Sequence, residues 1–482
     1  MCMSNKISNP FAFLKLSQAT TVCFDKETAL CDGEILIKKV VILDVRRSES
    51  EVSQAISNVL NAVNERNPLI DALKKQYDFE LSSEVKKVYS FNYETRTMGA
   101  TFRGGKTYFI GLVDNMPIKN KPGILKRCDE YVRYGQDVYI LAQGENEITE
   151  NLDVVALIIT KEHVRESMVE SIKWLNEHNI NVKVVSSDNT LKASCIAYDA
   201  GVLNTSKQIS MEYTAIRNAY RNVVFGEAQR EEKNAIIKSL KAKGEKVVYI
   251  NDNYDDLPKA FEESKRLINN LYRVSLFLVS KVLFAIFLAI LFAISYATKV
   301  SENPFALYRY FILDAIIDIA AIALLVFDRK NNEVKGKYFI NVLKKSLPGA
   351  LMMLIASILL VVLYSMQKNN IVSFGIYNEQ TLTTMFMIAI TILGIPVFYY
   401  VCLPLSKYRR ISIVVIGLIS IIMLVTSAII SYTSNKADPI FGVPFMEMSG
   451  PAYFITGIIV TVLIALYFVI NKIFGKGEEY EN

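Results

Sequence analysis

Three apolar runs in the polar N-terminal part of this 482-residue chain lead into acids. Thr-Val-Cys-Phe runs into Asp25, Val-Lys-Val-Val-Ser-Ser into Asp188, and Lys-Val-Val-Tyr-Ile-Asn into Asp252. A carboxylate mounted at a strand end can act as a nucleophile toward phosphorus and form an acyl phosphate. Such chemistry needs a magnesium ion between carboxylate and phosphate oxygens, for which Asp25, Asp252 and Asp256 supply ligands. It also needs a fixed cation facing the phosphoryl charge. Lys233, ahead of the last of these strands, is the candidate, and Lys26 stands directly beside Asp25. Any one of these aspartates also reads as an ordinary polar loop residue. Their shared order of strand, acid and lysine points to one site.

The elements needed to position them are legible. Between the strands lie helical patterns at Glu166–Ile180 and Glu231–Gly244, the second stopping at a glycine. Strand–helix–strand alternation implies a parallel, doubly wound sheet, and in such sheets ligands sit at the carboxyl ends of the strands. Residues 34–130 have a different texture, with strand-like pieces flanking a helical piece, and are expected to form a small domain inserted after the first strand. The single Trp174 falls on the apolar face of its helix and reads as core. The six cysteines and two histidines show no metal-ligand spacing. The net charge of +6 is too small and too dispersed to argue for nucleic acid as a partner. No signal peptide is expected at the N-terminus.

The second half is built for lipid. Six segments, 274–297, 305–327, 345–365, 383–405, 411–432 and 453–473, each approach the ~20 apolar residues that a bilayer span requires. The connections after the second and fourth carry Arg329, Lys330, Lys335, Lys337, Lys344 and Lys345, then Lys407, Arg409 and Arg410. Those after the first, third and fifth carry only Lys299, Lys368 and Lys436, and Lys472 and Lys476 follow the last. The positive-inside rule therefore places both termini and the polar half in the cytoplasm, with the protein in the cell membrane. Within the second segment Asp314 and Asp318 stand one helical turn apart on one face. Lipid exposure of two acids is costly, so they are expected to face the bundle interior, holding a cation or pairing with Lys281 of the preceding segment.

The order and wording of these motifs resemble the P-type ATPases of the haloacid dehalogenase superfamily, with the bacterial calcium- and magnesium-type cation transporters nearest. The family's DKTGTLT appears as Asp25-Lys26-Glu27-Thr28-Ala29-Leu30-Cys31, its SGDN stretch as Ser186-Ser187-Asp188-Asn189, and its TGDGVNDAP as Ile250 to Pro258. Lys265 to Lys281 is similar to the family's run into its fifth membrane helix.

The resemblance implies an α/β haloacid dehalogenase-like phosphorylation domain (residues 1–33 and 131–270), a nucleotide-binding insert of α+β fold (34–130) and a six-helix transmembrane domain (271–482). It implies ATP and Mg2+ as cofactors, Asp25 as the phosphorylated residue, and Lys26 and Lys233 beside it. Asp252 and Asp256 would serve magnesium, while Ser186 and Asp188 would orient phosphate and nucleotide. Phe91 is implied as the adenine-stacking residue, with Arg96 nearby and Gly111 at the turn that follows. Asp314 matches the family's cation-binding aspartate in its D-x-x-P setting, with Ile317 in place of the proline.

Several departures bear on activity. Glu27, Thr28 and Ala29 replace threonine, glycine and threonine next to the nucleophile, Ser187 and Asn251 replace glycines, and Asp255 replaces an asparagine. The family's actuator domain, with its TGES dephosphorylation loop, and its first four membrane helices have no counterpart ahead of Asp25, and are expected to be lost, supplied by a partner chain or carried by an upstream reading frame. Two readings stand: an ATP-dependent aspartyl-phosphate enzyme coupled to an inorganic cation, or a non-catalytic nucleotide-binding membrane subunit. A membrane-tethered phosphatase ranks behind both.

Overall fold

The computed structural model describes residues 15–145, 150–212, 216–252, 254, 256–298, 307–329, 338–373, 375–376, 378–433, 445 and 448–474. Asp255 and the loop cations Lys299, Lys330, Lys335, Lys337, Lys436 and Lys476 lie outside the described residues. The chain divides into two compact units, one ending at Phe261 and the other starting at Glu262.

Among the described residues, eleven strands belong to the first unit. They are β1 Thr21–Asp25, β2 Cys31–Ile42, β3 Val85–Asn92, β4 Thr97–Phe102, β5 Lys106–Leu112 and β6 Asp137–Glu145. Then follow β7 Asp153–Val164, β8 Asn181–Val185, β9 Gln208–Ser210, β10 Val224–Gly226 and β11 Val247–Ile250. Five make a wholly parallel sheet of order β11-β1-β8-β10-β9. Every residue of β1 is buried, as parallel sheets covered on both faces require. Val22 and Phe24 pack on one side with Val184, Ile196 and Phe261, while Cys23 packs on the other with Phe225, Ile236 and Leu240. The doubly wound sheet expected from the alternating pattern is therefore present, and the three acid-tipped strands β11, β1 and β8 are immediate neighbours.

Six strands form an antiparallel sheet of order β2-β7-β6-β5-β4-β3. The helices Glu49–Val63 and Pro68–Lys74 precede β3, and residues of both lie in the core on one side of this sheet. The first begins at a Ser48–Glu51 capping box and the second at Asn67 with Pro68 in its first turn. Cys128 of the helix Lys121–Arg133 belongs to a second apolar cluster with Ile140 and Leu157. The sheet does not stop at residue 130, the boundary expected from sequence. Strands β6 and β7 carry it to Val164, and the long ladder of β2 with β7 ties its first strand to its last.

The second unit is helical: Leu257–Ala297, which starts within the first unit, then Leu307–Val326, Tyr338–Lys368, Glu379–Val401, Lys407–Thr433 and Gly450–Phe474. Among the described residues five helices are long and apolar enough to cross a membrane, against six expected. The remaining segment does form the 20-residue helix Leu307–Val326, but the side chains of residues 307–313 lie outside the description. Glu379–Val401 is the most enclosed, with 78% of its apolar window buried against 17–50% for the other four. Arg409, counted as a loop cation, is buried instead, its Nε 2.6 Å from Asp328 Oδ2, with Arg273 on the same carboxylate.

Candidate functional site

The carboxyl edge of the parallel sheet gathers the acids at its centre. Asp25 is the last residue of β1 and is 5% exposed. Register pairs Cys23 with Tyr249, so Asp25, two residues on, shares their face of the sheet. From there the Tyr249 hydroxyl reaches diagonally to donate to Asp25 Oδ2. The helix Arg230–Ala242 buries Ile236 and Leu240 against the same face, which aims Lys233, one turn earlier, at the end of β1. Lys233 Nζ lies 2.7 Å from Asp25 Oδ2. Asp25 Oδ1 is less engaged, accepting the Thr28 N–H at 3.4 Å.

Burial opposes ionisation of Asp25, but the hydrogen bonds from Lys233 and Tyr249 outweigh it and hold the carboxyl down at about 2. Burial works against the Lys233 ammonium as well, and its contacts with Asp25 and Glu27 overcome that and raise it. Burial and the Asp25 carboxylate push the Tyr249 phenol up, so it stays a donor. Asp25 is thus a fixed, ionised carboxylate.

After β1 the chain makes one wide helical turn, Lys26–Leu30, and this turn sends consecutive side chains different ways. Lys26 is 1% exposed, and its ammonium bonds Glu162 of β7 at 2.6 Å and Asp188 rather than Asp25. Lys192 joins the cluster, 2.6 Å from Glu162 and 2.9 Å from Asp137 of β6. Burial opposes charge on Lys26, Glu162, Asp188 and Lys192. The mutual attraction nevertheless lowers Glu162 and Asp188 and raises Lys26 and Lys192. Lys26 therefore ties the turn to the antiparallel sheet and does not neutralise the nucleophile. Glu27 reaches to the start of the next loop: its Oε1 accepts from Ser186 Oγ at 2.6 Å, Ser187 N at 2.8 Å and Ser187 Oγ at 3.1 Å.

The other expected residues divide. Ser186 and Asp188 lie at this edge, with Ser186 Oγ also accepting the Asp188 N–H at 3.0 Å. Asp252 stands two residues beyond β11, exposed. Asp256 is engaged by the backbone and side chain of Lys259 at the head of the long helix. Arg96 lies in the turn between β3 and β4, and its charge helps hold Asp188 down. Phe91 lies on the edge strand β3, half-buried against the antiparallel sheet's core and edge-on to Tyr93. Gly111 is a packing residue: a Cβ there would come within 2.6 Å of Met116 Sδ and Thr97 Cγ2. Tyr249, Glu162, Lys192 and Asp137 were not anticipated, because each is placed by strand register or by contacts distant in sequence.

Among the described residues no three acids, cysteines or histidines gather into an all-protein metal cage. Asp25 ends β1 and Asp252 follows the neighbouring strand β11 by two residues, and two carboxylates completed by phosphate and water suit magnesium. The residues present fit that ion.

In the second unit Asp314 is buried, and Lys281 bonds its Oδ1 and stands 3.5 Å from Asp318 Oδ1. The two acids share a helical face, as expected, and an ammonium lies between them.

The haloacid dehalogenase-like hydrolase family matches residues 19–260. Over 451 residues the chain is 19% identical to the probable cation-transporting ATPase exp7 of Streptococcus pneumoniae, an overlap of 83% of this chain and 56% of that protein. It is 21% identical over 328 residues to the calcium-transporting ATPase CtpE of Mycobacterium bovis (58% of this chain, 40% of the relative). It is 23% identical over 259 residues to a potassium-transporting ATPase ATP-binding subunit of Staphylococcus aureus (51% and 34%). The chain spans about half the length, or less, of these relatives.

Proposed function

The chain belongs to the haloacid dehalogenase-like hydrolases, in their P-type ATPase branch, and from that premise we propose that Asp25 is the acceptor of a phosphoryl group from ATP. It is a multi-pass membrane protein related to cation transporters. The observation carrying the proposal is the setting of Asp25: a buried, ionised carboxylate at the end of a central strand, one oxygen clamped by Lys233 and Tyr249 and the other lightly held. In the proposed step Asp25 Oδ1 attacks the γ-phosphorus, the bond to the bridging oxygen breaks, and ADP leaves. Lys233 holds the carboxylate in line and faces the transferred charge. Asp25 and Asp252, with Asp256 in the same loop, would hold magnesium, whose charge offsets that of the phosphoryl oxygens when it is bound. The ATP-binding name of the Staphylococcus relative supports nucleotide as the donor, with Arg96 and Phe91 on the insert as its contacts and Asp188 at the strand edge.

Coupling to an inorganic cation at Asp314 and Asp318, residence in the cell membrane with cytoplasmic termini, and a partner chain contributing to the cycle belong to this proposal. The test is labelling of the full chain in detergent by ATP carrying radioactive γ-phosphate. Hydroxylamine-sensitive label that vanishes in Asp25→Asn supports the reading. Label that survives Asp25→Asn refutes it.

One observation favours a second reading, a nucleotide-binding subunit without turnover: Glu27 engages the very donors that a phosphoryl group would need. In that case no label forms, while magnesium-dependent ATP binding persists.

A further inference from the structure

Glu27 is exposed over 30% of its side chain, yet its carboxylate is closely held. One oxygen takes two serine hydroxyls and a backbone N–H, from Ser186 and Ser187. The other, Oε2, faces the Lys233 ammonium at 3.5 Å and is buried without a hydrogen bond. Two hydroxyls, an amide and an ammonium form a donor set for an oxyanion with more oxygens than a carboxylate offers. The carboxylate saturates one side of this cradle and leaves its second oxygen underserved. Lys233 is shared, 2.7 Å from Asp25 and 3.5 Å from Glu27. A phosphate placed among these donors would meet two carboxylates and one lysine.

Ser186, the Ser187 backbone and Lys233 are the phosphoryl-facing donors of the site described above, and we propose that Glu27 is their built-in occupant, which must swing out before inorganic phosphate or a phosphoryl group enters. This rests on the reading of Asp25 as phosphoryl acceptor and adds a gate to it. The swing is available because Glu27 sits on the turn Lys26–Leu30 at the solvent-facing mouth, next to the exposed Thr28. Its neighbours Lys26, Ala29 and Leu30 are buried and hold the turn's backbone, so only the side chain has to move. Withdrawal removes one negative charge from the cradle and returns Lys233, Ser186 and Ser187 to the ligand.

The experiment is titration of the full chain in detergent with orthophosphate and magnesium chloride, followed by calorimetry. The proteins are wild type, Glu27→Gln, Glu27→Thr, and Glu27→Thr combined with Ser186→Ala. Glu27→Thr is expected to bind phosphate at least about tenfold more tightly than wild type, and the added Ser186→Ala to abolish the gain. Glu27→Gln keeps the side-chain volume and removes only the charge. It is expected to show a smaller gain in the same direction, and it carries the test if Glu27→Thr does not fold. Equal phosphate affinity in wild type and both Glu27 variants overturns the gate. ATP labelling of Asp25, measured on the same proteins, separates the two ideas. Label without any phosphate gain leaves the acceptor standing and removes the gate. A phosphate gain without label leaves the oxyanion site and its occupant standing and removes the acceptor.

Discussion

Asp25 and Lys26 are consecutive in sequence, and their charged ends serve different structures. The carboxylate stays at the edge of the parallel sheet with Lys233 and Tyr249. The ammonium crosses to Glu162 on the antiparallel sheet and to Asp188. One turn of wide helix makes the split. Charge adjacency along a chain does not imply charge pairing in space, and the two residues should respond differently to substitution and to pH.

For Asp25 the response is to acid. Its folded carboxyl titrates at about 2, below the ordinary 3.8, so the folded state binds this proton less readily than the unfolded chain. A depressed acid stabilises the fold above the unfolded value and loses that contribution as pH falls through the folded one. Asp25→Asn should therefore cost about 2 kcal/mol at pH 7, and its gap from wild type should close between pH 4 and pH 2. Thermal unfolding of both proteins across that range checks this. A gap that stays constant down to pH 2 would mean that Lys233 and Tyr249 do not favour the ionised form.

For Lys26 the response is structural. Removing one partner from a buried ion cluster leaves uncompensated charge and typically costs 3–5 kcal/mol. Glu162 and Asp188 would keep Lys192, so Lys26→Met is expected to cost about 3 kcal/mol at neutral pH. The variant should melt earlier than wild type and take up Asp25 label as wild type does when assayed below its new midpoint. Loss of label with an unchanged midpoint would instead return Lys26 to the phosphoryl chemistry.

How much of this was legible depended on whether the signal was local. Three apolar runs ending on Asp25, Asp188 and Asp252 are local patterns, and they became β1, β8 and the edge beyond β11, side by side. Tyr249 could be found only by register, because its reach to Asp25 depends on pairing with Cys23. Glu162 meets Lys26 across more than a hundred residues, with Lys192 on the same carboxylate, and no spacing encodes that. The inserted domain was expected to end at 130, but Val-Val-Ala-Leu-Ile-Ile-Thr in β7 belongs to its sheet, with the unbroken apolar character usual for a buried parallel strand. It is antiparallel and buried on both faces instead. Gly111 looked like a ligand turn and is a close-packed strand position. Glu27 read only as a departure from the motif; its carboxylate is held by hydroxyl, amide and ammonium groups.

The insert's part in nucleotide binding can be separated by residue. Phe91 is half-buried on β3, so its ring offers one edge of stacking surface, worth about 1 kcal/mol. Phe91→Ala should weaken magnesium-ATP binding to the full chain about fivefold by calorimetry. The charge of Arg96 acts on Asp188, so Arg96→Ala should weaken binding and also lower the melting temperature without ligand. Wild-type affinity in both variants would remove the β3–β4 turn from the nucleotide site.

The last prediction concerns Lys281. Its ammonium stands between Asp314 and Asp318, occupying the position a bound cation would take between two acids. Wild type should accordingly show no melting shift with calcium, magnesium or potassium chloride at constant ionic strength. In Lys281→Ala the two acids lose that ammonium and face each other within an apolar bundle, where unbalanced charge is expensive. The variant should be destabilised without added salt, and one of the three cations should restore a large part of the loss. Adding Asp314→Asn and Asp318→Asn should remove both the destabilisation and the cation response. If Lys281→Ala is destabilised but no cation restores it, the three residues form a structural ion cluster and the transported-cation assignment falls. If wild type itself shifts strongly with one cation, Lys281 yields its place readily and the two acids are a working site as they stand.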